Sequence, residues 1–126
     1  MSQDRRLISG PKQTAQLSIT NTLVDLTDSA SATVGQASEL RGFDIYNPNN
    51  FPVWFKVFEG LASSLTLSSQ APTEVYELAP NAVTHRPADQ PIIIYTNMSY
   101  AVTREPGAGA TTPGTAAAGK LTYGTN

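Results

Sequence analysis

The single histidine, His85, stands between Thr84 and Arg86, with Asp89 four residues on. A hydrolytic triad or a metal centre needs partners that converge on such an imidazole. One histidine in a chain without cysteine supplies neither a zinc ligand set nor, by itself, an activated nucleophile. His85 is therefore read as a structural or surface residue. Asp44, Glu74 and Glu77 are the carboxylates that could flank a glycosidic bond, which requires two of them at a fixed separation across the sugar. No spacing in the sequence brings two of them together. Asp25 and Asp28 offer oxygen ligands for calcium but lack the Asp-x-Asp-x-Asp-Gly loop, and Gly107 and Gly109 have no strand-to-helix context that would make them a phosphate cradle. These residues predict a non-enzymatic protein with no catalytic residue, no metal site and no cofactor.

The composition narrows the partners. The chain has 126 residues, enough for one domain with a real core. Its formal net charge is -2 and only 14% of its residues are charged, against about a quarter in an ordinary globular domain. A phosphate-neutralising surface is not predicted, so nucleic acid is excluded as a partner. The low charge suits a protein packed against other proteins. With no cysteine, stability must come from burial and strand pairing. Leu7 and Ile8 are followed at once by Ser9-Gly10-Pro11, far short of a signal peptide's apolar core, and no run approaches the roughly 18 apolar residues of a membrane span. A protein made in a cytoplasm, without membrane partners, is expected.

The elements that must carry any site are organised around Leu40 to Gly60. Two β-rich runs flank Asn47-Pro48-Asn49-Asn50, residues that fix φ or hydrogen-bond their own backbone, and the pattern predicts a hairpin. On its second arm Val53, Phe55 and Val57 share one parity and Trp54, Lys56 and Phe58 the other, so the strand is covered on both faces. The second face reads either as ordinary core or as a subunit contact in which Lys56 lies over an aromatic ring.

Short strands are also expected in Thr14 to Ile19, Asn21 to Thr27, Thr73 to Leu78 and, briefly, Val83 to Arg86. The run LASSLTLSSQAP after Gly60 suits a helical turn or an irregular loop lying over the sheet. Pro91 to Tyr95, with three consecutive isoleucines, predicts a strand in the middle of a sheet. After it the chain either continues as one long strand or bends at Thr96-Asn97 so that one strand serves two sheets. Glu105 to Gly119 is rich in Gly, Ala, Pro and Thr and is not expected to order by itself, and Lys120 to Tyr123 would close the sheet. Helical periodicity is absent. The sum is an all-β fold of roughly eight to ten short strands, a single β-sandwich or jelly-roll-like domain over residues 14–126 with an extended N-terminal arm over residues 1–13.

The segment FDIYNPNNFPVWFKVFEG, the Leu/Ser loop, the Ile-rich strand followed by SYAVTRE, the Gly/Ala/Thr/Pro tongue and the final KLTY together resemble small virion proteins of tailed bacteriophages. Chains of that kind typically carry a YNP-x-x-x-PV-x-x-K hairpin and an SxAVT strand. The likeness runs from about Leu40 to Tyr123 and implies a domain that decorates or cements a capsid on the exterior of the virion. The implied partners are the major capsid protein or other virion subunits. It also implies a homo-oligomer, with a trimer favoured because shell decorators commonly match local axes where three subunits meet.

The candidate partner-binding residues are Arg5, Arg6 and Lys12 on the arm and Phe51, Trp54, Lys56 and Phe58 on the central stretch. The arm and the tongue are expected to reach across neighbouring shell subunits and to order on binding. The alternative is a tail, neck or head-fibre module that recognises host surface carbohydrate, with Phe51 and Trp54 as a stacking platform.

Overall fold

The computed structural model describes residues 12–14, 16–26, 38–87, 93–95 and 97–125. Ten strands occur among them: β1 (Lys12–Gln13), β2 (Leu17–Ile19), β3 (Val24–Asp25), β4 (Ser38–Asn47), β5 (Val53–Glu59), β6 (Glu74–Leu78), β7 (Ala82–Arg86), β8 (Ile93–Tyr95), β9 (Met98–Thr103) and β10 (Ala117–Thr125). The fold is all-β, with one 3₁₀ turn at Ala62–Ser64 as its only helical element among the described residues.

The first sheet runs β1-β10-β4-β7, with β2 beside β1 on β10 and β8 beside β7 on β4. The second runs β3-β9-β5-β6, and every pairing is antiparallel. If β1 with β2, and β7 with β8, are taken as single positions, eight positions follow in chain order. The sheets then read 1-8-3-6 and 2-7-4-5. That is one long antiparallel hairpin, closed at its tip between β5 and β6 and rolled on itself, the order of a jelly roll.

Alternation decides which side chains meet between the sheets. Val53, Phe55 and Val57 of β5 and Met98, Tyr100 and Val102 of β9 face Phe43 and Ile45 of β4 and Ala117, Leu121 and Tyr123 of β10. Leu40 has the wrong parity to join Phe43, yet both are buried. The register between β4 and β10 skips Arg41, pairing Thr122 with Gly42 and Tyr123 with Leu40, and this bulge resets the alternation. Phe43 and Phe55 meet edge to face at 5.2 Å across the core.

That contact explains why the expected hairpin at Asn47-Pro48-Asn49-Asn50 does not form. β4 and β5 lie in different sheets, and the four residues arch from one to the other. A hairpin would set Phe43 and Phe55 side by side in one sheet, whereas the arch sets them face to face. Ile93–Tyr95 also departs from expectation, because β8 pairs with β4 alone among the described residues and shares an outer position with β7. A continuous apolar run speaks to cover on both faces, not to the number of hydrogen-bonded neighbours. The centre is taken instead by the two longest strands, β4 and β10. β10 begins at Ala117, earlier than the KLTY segment, and Gly119 in it packs so tightly on β4 that a Cβ there would lie 1.9 Å from the Asp44 carbonyl oxygen.

The chain changes sheets between Tyr95 and Met98, with β8 in the first and β9 in the second, while Thr96 itself lies outside the described residues. Strands are also found in the expected regions at β2, β3, β6 and β7. Lys12–Gln13, the end of the expected arm, pairs with Tyr123 and Thr122 of β10.

Candidate functional site

The corner where β4 leaves the first sheet is held by amides. Asn47 is fully buried, and its Nδ2 donates to the carbonyls of Phe51 at 2.9 Å and Leu78 at 3.0 Å, with Ala79 at 3.3 Å. Its Oδ1 accepts from the backbone N–H and the side-chain amide of Asn49, both at 3.0 Å. Asn49 in turn donates to the Thr115 carbonyl and accepts from the Thr115 N–H, at 2.8 and 2.9 Å, while its own carbonyl accepts from the Asn81 N–H. Gly114, at φ +92, brings the chain against this knot. Three crossings between the sheets are tied together here: β4 to β5, β6 to β7, and β9 to β10.

The outer face of the second sheet carries Trp54, Lys56 and Phe58, and the chain itself covers most of it. Phe58, Leu67 and Ala101 form a second apolar cluster, joined by Leu23, Leu65 and Ala110. The Gly/Ala/Pro/Thr tongue between β9 and β10, expected to stay loose, folds back over this face. Lys56, at 0% exposure, donates to the Gly107 carbonyl and, at 3.4 Å, to that of Gly109. The Gly109 N–H donates to the Leu67 carbonyl, Asn21 Nδ2 to the Ala110 carbonyl at 2.8 Å, and the Thr111 N–H to Glu105 Oε1 at 2.9 Å. A low-complexity segment orders here because the sheet supplies a buried ammonium for its carbonyls and a groove that small residues can enter.

Electrostatics follow from this cover. Burial pushes the Lys56 ammonium below the ordinary lysine value, partly opposed by the Glu105 carboxylate nearby. Burial alone would raise the Glu105 carboxyl, but hydrogen bonds from Thr111 and Thr103, with Lys56 beside it, outweigh that and hold it below the ordinary glutamate value.

Lys56 and Phe58, expected among the partner-binding residues, are therefore sealed beneath the chain's own tongue and loop, and their role as an open contact is corrected. Lys56 points to backbone carbonyls and not to a ring. The cation over an aromatic face is Arg104, whose guanidinium carbon sits 3.8 Å from the centre of the Phe51 ring. Phe51 and Trp54 are both half-buried, and with Arg104 on one face of Phe51 the pair is not an open stacking platform. Arg5 and Arg6 lie outside the described residues. Lys12 is placed by its backbone, opposite Tyr123.

The outer face of the first sheet was not singled out by the sequence. Lys120, Asp44 and His85 form one cross-strand row over β10, β4 and β7, with His85 Nδ1 hydrogen-bonded to Asp44 Oδ1. The neighbouring row is Ala118, Tyr46 and Val83, in which Tyr46 is 40% and Val83 61% exposed. Asp44 thus pairs with the histidine, not with Glu74 or Glu77. Among the described residues no three His, Cys, Asp or Glu side chains gather as a metal site, and no helix is long and apolar enough to cross a membrane. No protein family, curated protein or solved structure matches the chain.

Proposed function

We propose that this protein is a non-enzymatic structural component of a bacteriophage virion. It decorates or cements the capsid exterior by binding the major capsid protein or other virion subunits across their seams. The reading is supported by the likeness of its YNP, PVWFK and SYAVT segments to small virion proteins and by a jelly-roll body of a kind found in capsid proteins, although a fold alone does not assign a role.

The observation that carries it is the outer face of the first sheet. An apolar row of half-buried Ala118 and exposed Tyr46 and Val83 runs beside a row in which Asp44 stands between Lys120 and His85. A sheet face that carries an apolar row with an aromatic at its centre suits a broad protein surface better than a small substrate. In this arrangement the body meets the shell through β4, β7 and β10, and the copies associate, with three favoured by the symmetry of shell sites.

The test is the copy number of this chain relative to the major shell protein in purified virions, by mass spectrometry, with rebinding of purified protein to stripped particles. Hundreds of copies and weaker rebinding of Tyr46→Asp and Val83→Asp variants are expected. Absence of the chain from virions, or rebinding that ignores both substitutions, would overturn the reading.

A further inference from the structure

The second sheet leaves one strip of its outer face outside the tongue. Trp54 of β5 stands opposite Glu77 of β6, and Lys56 opposite Val75, so Trp54, Val75 and Glu77 share this face at the sheet's margin. Val75 is 41% exposed, Glu77 is exposed and Trp54 is half-buried, while Glu74, opposite Val57, is exposed from the other side of the same edge strand. Among the described residues β6 pairs only with β5. The nearby basic groups are already engaged, Lys56 by the tongue carbonyls and Arg104 by the Phe51 ring, and Glu105 is held by the Thr111 N–H. The strip is therefore apolar at its centre and acidic at its rim.

The segment ahead of Lys12 has the opposite character: Arg5-Arg6 followed directly by Leu7-Ile8. Its point of departure is fixed, because β1 lies on the edge strand position of β10. The short link of residues 20–23 sets that edge of the first sheet beside β3, and the turn of residues 79–81 sets β7 beside β6. The arm thus leaves the sandwich at the edge opposite β6. Arg5 stands seven residues before Lys12, so the contact segment reaches at most roughly 23–25 Å from β1 when extended, enough to meet an adjoining molecule.

We propose that the strip of Trp54, Val75 and Glu77, with Glu74 on the other side of the same β6 edge, receives residues Arg5-Arg6-Leu7-Ile8 of a second copy of this chain. Arg5 and Arg6 meet the two glutamates, and Leu7 and Ile8 cover Val75 and the open part of Trp54. Donor edge and acceptor edge lie on opposite sides of one body, so the contact is head to tail, the kind that builds a ring of copies or an open chain of them. It uses the opposite face of the sandwich from the one assigned to the shell and does not depend on particle attachment.

The experiment is light scattering of the purified full chain over a range of concentrations at low and high salt. It is repeated with Arg5→Glu/Arg6→Glu, with Glu74→Lys/Glu77→Lys, and with all four substitutions together. All of these residues lie in the arm or are exposed, and circular dichroism serves as the folding control. The unaltered chain is expected to assemble and to dissociate as salt rises. Each charge-reversed pair should weaken assembly by about tenfold or more, and the fourfold exchange should restore it. A chain that stays monomeric throughout would overturn the proposal. So would assembly indifferent to both reversals, a fourfold exchange that fails to restore it, or a monomer whose melting alone follows the arm charges. Loss of particle binding with assembly intact would count only against the proposed function.

Discussion

Asn49 donates both its side-chain amide and its backbone N–H to the Asn47 carboxamide oxygen at 3.0 Å, and these bonds let the Asn47 Nδ2 face three backbone carbonyls inside the fold. The orientation of Asn47 is set by its neighbour, because Oδ1 receives two N–H groups and Nδ2 must then point the other way. Asn47→Asp keeps the shape but turns a donor into an acceptor facing the Phe51 and Leu78 carbonyls. The variant should lose about 2–4 kcal/mol at neutral pH in urea unfolding and regain part of it in mild acid, as the new carboxyl protonates. Equal stability at both pH values would mean that the corner rearranges around the substitution.

Gly119 gives a second, steric prediction. A Cβ at this position would meet the backbone of Asp44 and Ile45, atoms that cannot move without shifting β4. Gly119→Ala should cost several kcal/mol or abolish soluble folding, while Gly107→Ala, whose added Cβ meets nothing within 4 Å, should leave the melting temperature nearly unchanged.

These residues show which parts of the fold are legible in the sequence. The alternation of Val53, Phe55 and Val57 against Trp54, Lys56 and Phe58 gives a strand covered on both sides, and the structure covers both. What alternation lacks is the identity of the neighbour. The residues Asn47-Pro48-Asn49-Asn50 turn a chain whether it returns within a sheet or crosses to the facing one, and only the distant partners Leu78 and Thr115 decide for the crossing. The tongue was opaque for a related reason. Its own residues bury little, and the group that orders it, the Lys56 ammonium, lies some fifty residues away in sequence. The pairing of Asp44 with His85 depends on the register of β4 against β7, which no local spacing encodes.

Tyr100 makes the stability of the core depend on alkaline pH. Burial, with Tyr123 close by, raises its hydroxyl from 10.0 to about 12. The folded value lies above the unfolded one, so the folded chain holds this proton more tightly. The contribution is complete below pH 10 and is lost as pH rises through about 12. It amounts to roughly 2–3 kcal/mol. Tyr100→Phe should flatten the decline of stability above pH 10, and a decline as steep as that of the unaltered protein would assign it to other groups.

Lys56 separates the anchoring of the tongue from the stability of the body. Its stem is buried in the sheet face, and its ammonium is the one charged donor placed on the tongue carbonyls among the described contacts. Lys56→Met keeps the apolar stem and removes the desolvated charge, so the global stability should change by no more than about 1–2 kcal/mol, whereas Lys56→Ala should cost about 2–4 kcal/mol by leaving a cavity. The difference should appear locally. In Lys56→Met the Gly109 and Thr111 amides, held by the Leu67 carbonyl and the Glu105 carboxylate, should exchange with solvent at least about tenfold faster, with Phe55 and Leu121 unaffected. The pH dependence has a definite sign as well. The folded value of Lys56 lies below the unfolded 10.5, so the unfolded chain binds more protons in between. This residue therefore favours the folded state increasingly as pH rises toward 10.5, opposite in sign to Tyr100, and Lys56→Met should abolish that gain. Unchanged exchange at Gly109 in Lys56→Met would transfer the anchoring to Asn21 and Glu105, and equal acceleration at Phe55 would show that tongue and sheet open as one unit.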